Sequence, residues 1–191
     1  MRRDETSPSR TITDMGIFSK KPEQSAKEQG GRILMMPLSP YEAAEIVEIL
    51  VGIRTGDKSR EESGILTLQK WEIRRSMVAF GVLAERYFNY LVDIKLLKMG
   101  ENEQQVVEAA RQIALAIPEA TRVDERVILE AIVATFSKNS ESVRRRIQEN
   151  PEQVLLGFVY LCAGLCNLAN SLHGKSNPSM SEMLKDINAP W

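Results

Sequence analysis

The chain is poor in the residues from which helical enzymes and metalloproteins build their centres. Its 191 residues include one histidine and two cysteines. The Glu-x-x-His pairs of di-iron bundles are absent, since the residue three before His173 is Asn170. Gly-rich phosphate loops, a Gly-x-Ser-x-Gly elbow and a His-Glu-x-x-His zinc helix are missing too. No segment alternates apolar and polar residues over strand length, which argues against a half-buried sheet. Neither sign of charge is in surplus: 25 basic against 26 acidic residues give a net −1. No global field therefore draws nucleic acid or acidic lipid, and either partner would need a local patch. The first residues, MRRDETSPSRTITD, carry no apolar stretch behind their arginines and do not read as a secretory signal. Without a disulfide framework, the cytoplasm is the expected location.

What is present is enough for one core: 43% of residues are hydrophobic and 27% charged. Residues 1–37 read as a disordered tail, rich in Ser, Thr, Gly, Lys and Glu, that cannot bury enough surface to offset its ordering entropy. Its apolar strip Ile33-Leu34-Met35-Met36 lies between Gly30-Gly31 and Pro37, placed to lean on the domain or a partner. A helical domain is expected over 38–176, followed by a short helix and tail over 177–191.

Helix signals recur along the domain. Ser39, Pro40 and Glu42 spell a capping box with proline in the first turn, and Gly56 supplies a stop. The polar run GDKSREESG (56–64) reads as a loop. A long second helix is expected over 66–99, uncharged between Arg75 and Glu85, with Gly81 placed for close packing. Further helices are expected over 102–117, from Thr121 to Phe136, from Asn139 or Ser140 to Gln148, from Asn150-Pro151 to about Leu172, and over 179–187. The fold class is all-α, a bundle of five to seven helices with a hydrophobic central helix near the C-terminus.

That apolar helix (154–169, VLLGFVYLCAGLCNLA) has no charge from Gln153 to Gly174. Its apolar run falls short of the roughly 20 residues that span a bilayer, so burial in the core is favoured over membrane insertion. Cys162, Cys166 and His173 fall on one side of it. Three donors are too few for a closed zinc site, so the cysteines read as small core residues and no metal or cofactor is expected.

Two regions could carry function. Residues 132–147 (IVATFSKNSESVRRRI) resemble half of a helix-turn-helix, with Ser137 at the turn and Val143 and Ile147 inward. The resemblance implies that Lys138, Ser140, Arg144 and Arg145 meet duplex DNA in the major groove or at its phosphates. Lys138, Val133 and Glu141 depart from the pattern, and three consecutive arginines cannot all face one groove. The long helix carries aromatics suited to an interface, Trp71, Tyr87 and Tyr90 foremost. Glu85 and Asp93 lie beside Arg86 and these tyrosines, where a ligand pocket would be a further alternative. The reading that follows is a non-enzymatic helical interaction or structural module, self-associating, with a DNA-binding regulator as the alternative.

Overall fold

Helix α1 (Pro40–Thr55) starts where its local chemistry places it. Glu42 N–H donates to Ser39 Oγ at 3.2 Å, and Ser39 N–H donates to Glu42 Oε2 at 2.7 Å. Gly56 ends the helix at φ 73°, a left-handed conformation that glycine adopts without a Cβ clash. The computed structural model describes residues 34–97, 103–136, 141–171 and 179–190, apart from the side chains of 142 and 143. Among these the order continues α2 (Lys58–Leu68), α3 (Ile73–Asp93), α4 (Glu103–Leu115), a 3-10 turn (Glu119–Thr121) and α5 (Glu125–Phe136). Then come α6 (Glu141–Glu149), α7 (Pro151–Asn170) and α8 (Met180–Leu184), with strands β1 (Met35–Pro37) and β2 (Asn188–Pro190) at the two ends.

The polar segment expected as a loop is helical. Asp57 caps α2, its Oδ1 accepting from Arg60 N–H at 3.1 Å. The helix folds back on α1, where Gly64 admits Ile49: a Cβ on Gly64 would stand 2.5 Å from Ile49 Cγ1. The expected long helix is consequently two. It breaks between Leu68 and Ile73, and Glu72 caps α3 by accepting from Arg75 N–H at 3.0 Å. The break lets α2 cover α1 while α3 turns into the core. Thr121 does not start α5. Its Oγ1 donates to the Ile53 carbonyl at 2.6 Å, pinning the 3-10 turn to the end of α1, and Asp124 accepts from Arg126 N–H instead. Asn150 makes no side-chain cap; Pro151 alone marks the start of α7.

Helix α7 is the central apolar helix. It packs chiefly on α3 and α5, and also on α1, α4 and α6. Leu155, Phe158, Val159, Leu161 and Leu165 are buried on it. Among the described residues it is the one helix long and apolar enough to cross a membrane, and 61% of that stretch is buried by its neighbours. Gly164 brings α4 close: a Cβ there would lie 2.5 Å from Ile113 Cγ2 and 2.6 Å from its carbonyl oxygen. Gly81 does not serve the packing role expected of it, since a Cβ there would meet nothing within 4 Å.

The two ends of the domain meet in an antiparallel ribbon, with Met35 opposite Pro190, Met36 opposite Ala189 and Pro37 opposite Asn188. So the last residues of the expected tail are part of the fold. Arg75, 5% exposed, holds the ribbon down. Its Nε and Nη2 donate to the two Glu42 oxygens at 2.5 and 3.0 Å, a bidentate pair. Nη2 also donates to the Pro37 carbonyl at 3.0 Å, and Nη1 to those of Ala189 and Pro190 at 2.9 and 3.2 Å. Eleven residues on, about three turns along the same face of α3, Arg86 Nη1 donates to the Met183 carbonyl at 2.9 Å and to that of Lys185. Two arginines thus hold the backbone of residues 183–190, whose Leu184, Ile187 and Ala189 are buried.

Replacing Arg75 by Met should lower unfolding free energy by about 3 kcal/mol in urea titration, because it strands Glu42 and three carbonyls beside a buried apolar stem. Hydrogen bonding from Arg75 holds the Glu42 carboxyl down, from 4.5 to about 2. A depressed carboxylate stabilises the fold above its unfolded value and loses that contribution as pH falls through the folded value. Stability should therefore decline between pH 4.5 and about 2, and Glu42→Gln should flatten this limb. A Gln variant with an unchanged acid limb would contradict the assignment. The glycines give an opposed pair: Gly81→Ala should raise stability by about 0.5–1 kcal/mol, whereas Gly164→Ala should lower it. Thermal melts of both variants check the signs.

Candidate functional site

The aromatic residues expected at an interface separate by depth. Tyr87 is 1% exposed and belongs to the core, so it cannot anchor a partner on the surface of the folded chain. It lies on α3 against α7, where Cys166 Sγ–H donates to its hydroxyl oxygen at 3.4 Å. Burial, then the neighbouring thiol, raises its pKa. Tyr87 stands on the core face of α3 with Phe80, Leu83, Ala84 and Leu91. Trp71 sits half-buried between α2 and α3, its Nε1–H donating to Glu45 Oε2 at 2.6 Å. Tyr90 is half-buried on α3. Glu85 is half-buried and Asp93 exposed, and neither lines the two grooves described below.

The cysteines are buried. Cys162 Sγ–H donates to the Phe80 carbonyl at 3.2 Å, and burial pushes its thiol pKa well up. A protonated thiol is neither nucleophile nor ligand. His173, the third donor considered above, lies outside the described residues. Two further polar braces cross the core. Asn167 accepts from Arg54 Nε at 2.8 Å and donates to the Ala116 carbonyl at 2.9 Å, tying α7 to the ends of α1 and α4. Tyr160 donates to the buried Glu61 at 2.5 Å, tying α7 to α2. Burial first, and then Glu61, raises the Tyr160 pKa. Glu61 Oε2 accepts no hydrogen bond, with Lys58 Nζ 3.4 Å away. The tyrosine and the lysine offset the cost of burying this carboxylate.

Of the residues assigned to DNA, Lys138 and Ser140 lie outside the described residues, as does the turn position Ser137. Arg144 and Arg145 are exposed on α6. Arg145 Nε lies 2.7 Å from Glu149, and Arg146 reaches across to Glu130 on α5 at 2.9 Å. A groove of about 250 Å³ runs between α5, α6 and α7, lined by Val127, Ala131, Ala134, Ile147 and Val154 with the Arg146–Glu130 pair. A more open cleft of about 440 Å³ gathers Arg111, Arg122 and Arg126. Asp124 and Glu125 line the same cleft and cancel most of its positive charge.

Among the described residues, one run of exposed apolar side chains lies at the terminal ribbon and the start of α1. Leu34, Met35, Met36 and Tyr41 are 60, 50, 38 and 71% exposed. All three β1 residues face solvent, whereas Ala189 and Pro190 of β2 are buried. Helix α3 packs on β2 and its Arg75 takes up carbonyls of that strand, so β1 is the outer strand. The sequence signal for this surface is the apolar strip before Pro37; the strand itself had none.

No family model, curated protein or solved structure matches this chain.

The DNA alternative makes its own prediction. Fluorescence anisotropy with mixed duplex DNA at low salt should show binding that weakens steeply as salt rises and is lost in the Arg144→Ala/Arg145→Ala variant. Equal titrations for variant and parent would remove α6 from consideration.

Proposed function

We propose that this chain is a non-enzymatic helical interaction module that associates with itself. One observation carries the reading: among the described residues, the large apolar side chains Leu34, Met35 and Met36 are left in water on and beside the outer strand β1, with exposed Tyr41 at the start of α1. Single exposed apolar residues are ordinary, but a group of them beside an open strand edge is the composition of a contact surface. Methionine suits such a surface, being unbranched and able to repack against a partner.

The other polar features support a scaffold role. Arg75, Arg86, Asn167 and Tyr160 are each taken up in cross-links between elements. The duplex-DNA reading draws on exposed Arg144 and Arg145, and it is the less favoured because Arg145 and the adjacent Arg146 already face carboxylates.

Light scattering over rising concentration checks the proposal. The fitted mass should climb from 21.5 kDa towards twice that value. A patch of this size is small against the roughly 800 Å² per partner of a stable complex, so dissociation is expected between about 10 μM and 1 mM. A constant monomer mass up to about 1 mM would rule self-association out.

A further inference from the structure

We propose that two copies join edge to edge through β1, antiparallel about a twofold axis, into a four-stranded sheet ordered β2-β1-β1′-β2′. This inference rests on the self-association reading and names its surface. The geometry of the ribbon leads to it. Leu38 N–H donates to the Ile187 carbonyl at 3.0 Å, which makes 38/187 a hydrogen-bonded pair. Hydrogen-bonded pairs alternate along an antiparallel ladder, so Met36/Ala189 is the next one. Met35 and Pro37 therefore turn their backbone groups away from β2. Pro37 has no N–H, and its carbonyl already accepts from Arg75. Met35 alone in β1 presents both an outward donor and an outward acceptor.

That arrangement is self-complementary. Met35 opposite the same residue of a second copy gives two reciprocal N–H to O=C bonds across the axis, the isologous form of a symmetric contact. Pro37 then ends the pairing on both sides and fixes its register. Charge favours a second copy as the occupant. From Leu34 to Tyr41 there is no charged residue, and Glu42 just beyond is neutralised by Arg75. Two identical edges can therefore approach without like-charge repulsion. Of the devices that protect natural edges, β1 is short and carries Pro37 at one end, but it has neither a charged side chain nor a bulge at Met35. The ribbon also gains from the pairing, because a two-stranded sheet is marginal alone in water. Leu34 and Met36, on either side of Met35 in sequence, supply apolar area to close over the new bonds.

The test uses the full chain and three substitutions at one position. Met35→Pro removes the outward donor without touching the Met36/Ala189 bonds, and Met35→Lys places a charge on the axis. Each should weaken dimerisation about tenfold or more in sedimentation velocity. Leu66→Lys, at an exposed apolar site on α2, should leave it unchanged. Met35→Cys should cross-link as a disulfide dimer under mild oxidation, since paired Cα atoms about 5.5 Å apart suit that bond. Cys162 and Cys166 are buried and do not compete. Circular dichroism verifies that each variant folds, and if proline at 35 does not, the lysine and cysteine variants decide. Dimers undiminished by Met35→Lys, or dimers that fail to cross-link through Cys at 35, would overturn the β1 pairing and leave self-association by another face. A parent chain that stays monomeric would overturn both.

Discussion

A guanidinium buried where strands β1 and β2 meet helices α1 and α3 sets the terms for this fold. Arg75 has lost nearly all its water, and burying a charge without partners costs far more than a domain can spare. It persists because five acceptor oxygens surround it: two from Glu42 and one each from Pro37, Ala189 and Pro190. Four separate segments must therefore arrive together. The α1 start brings Glu42, the α3 start brings Arg75, and the two strands bring carbonyls. Arg75 is fully partnered only when all four are in place, so the node couples closure of the ribbon to docking of α1 on α3.

Glu42 shows how local and tertiary demands share one side chain. Its Oε2 closes the capping box with Ser39 and also accepts from Arg75 Nη2, while Oε1 accepts from Arg75 Nε. The helix start and the clamp are then one electrostatic unit, and the carboxyl is held well below its ordinary range by both. Arg86 repeats the device one α3 segment further on, gripping the backbone around α8. Because arginine here recognises carbonyls rather than side chains, residues 183–190 are held by backbone chemistry, while Leu184, Ile187 and Ala189 supply the apolar seal.

How much of this could be read from the sequence follows from how local each cause is. Ser39-Pro40-Glu42 and Gly56 act within one turn, and both ends of α1 stand where they point. The uncharged run 153–174 identified the central helix, because only burial on all sides explains such a run in this fold. The break at 69–72 carries neither glycine nor proline. It arises because α2 folds back on α1 through Gly64 and Ile49, a contact between residues fifteen apart. Asp57 was a cap signal hidden in a polar stretch. Thr121 looked like a cap, yet its hydroxyl serves Ile53 from the preceding half of the chain.

The site was legible only in part. The strip before Pro37 stood out as apolar in a polar tail, but its strand partner is Asn188-Ala189-Pro190, a sequence with no strand propensity. Arg75 marked the edge of an uncharged stretch, and nothing near it revealed an acid 33 residues earlier. Tyr87 carried the composition of an interface and the position of a core residue, a difference set by the rotation of α3 against α7. The most direct measurement of the central claim is native-state hydrogen exchange on the parent and Arg75→Met chains. The account predicts that residues 34–38 and 183–190 lose protection together while α3 and α7 keep theirs. Protection in the ribbon equal to that of the parent would show that Arg75 does not hold the ends, and would contradict the account.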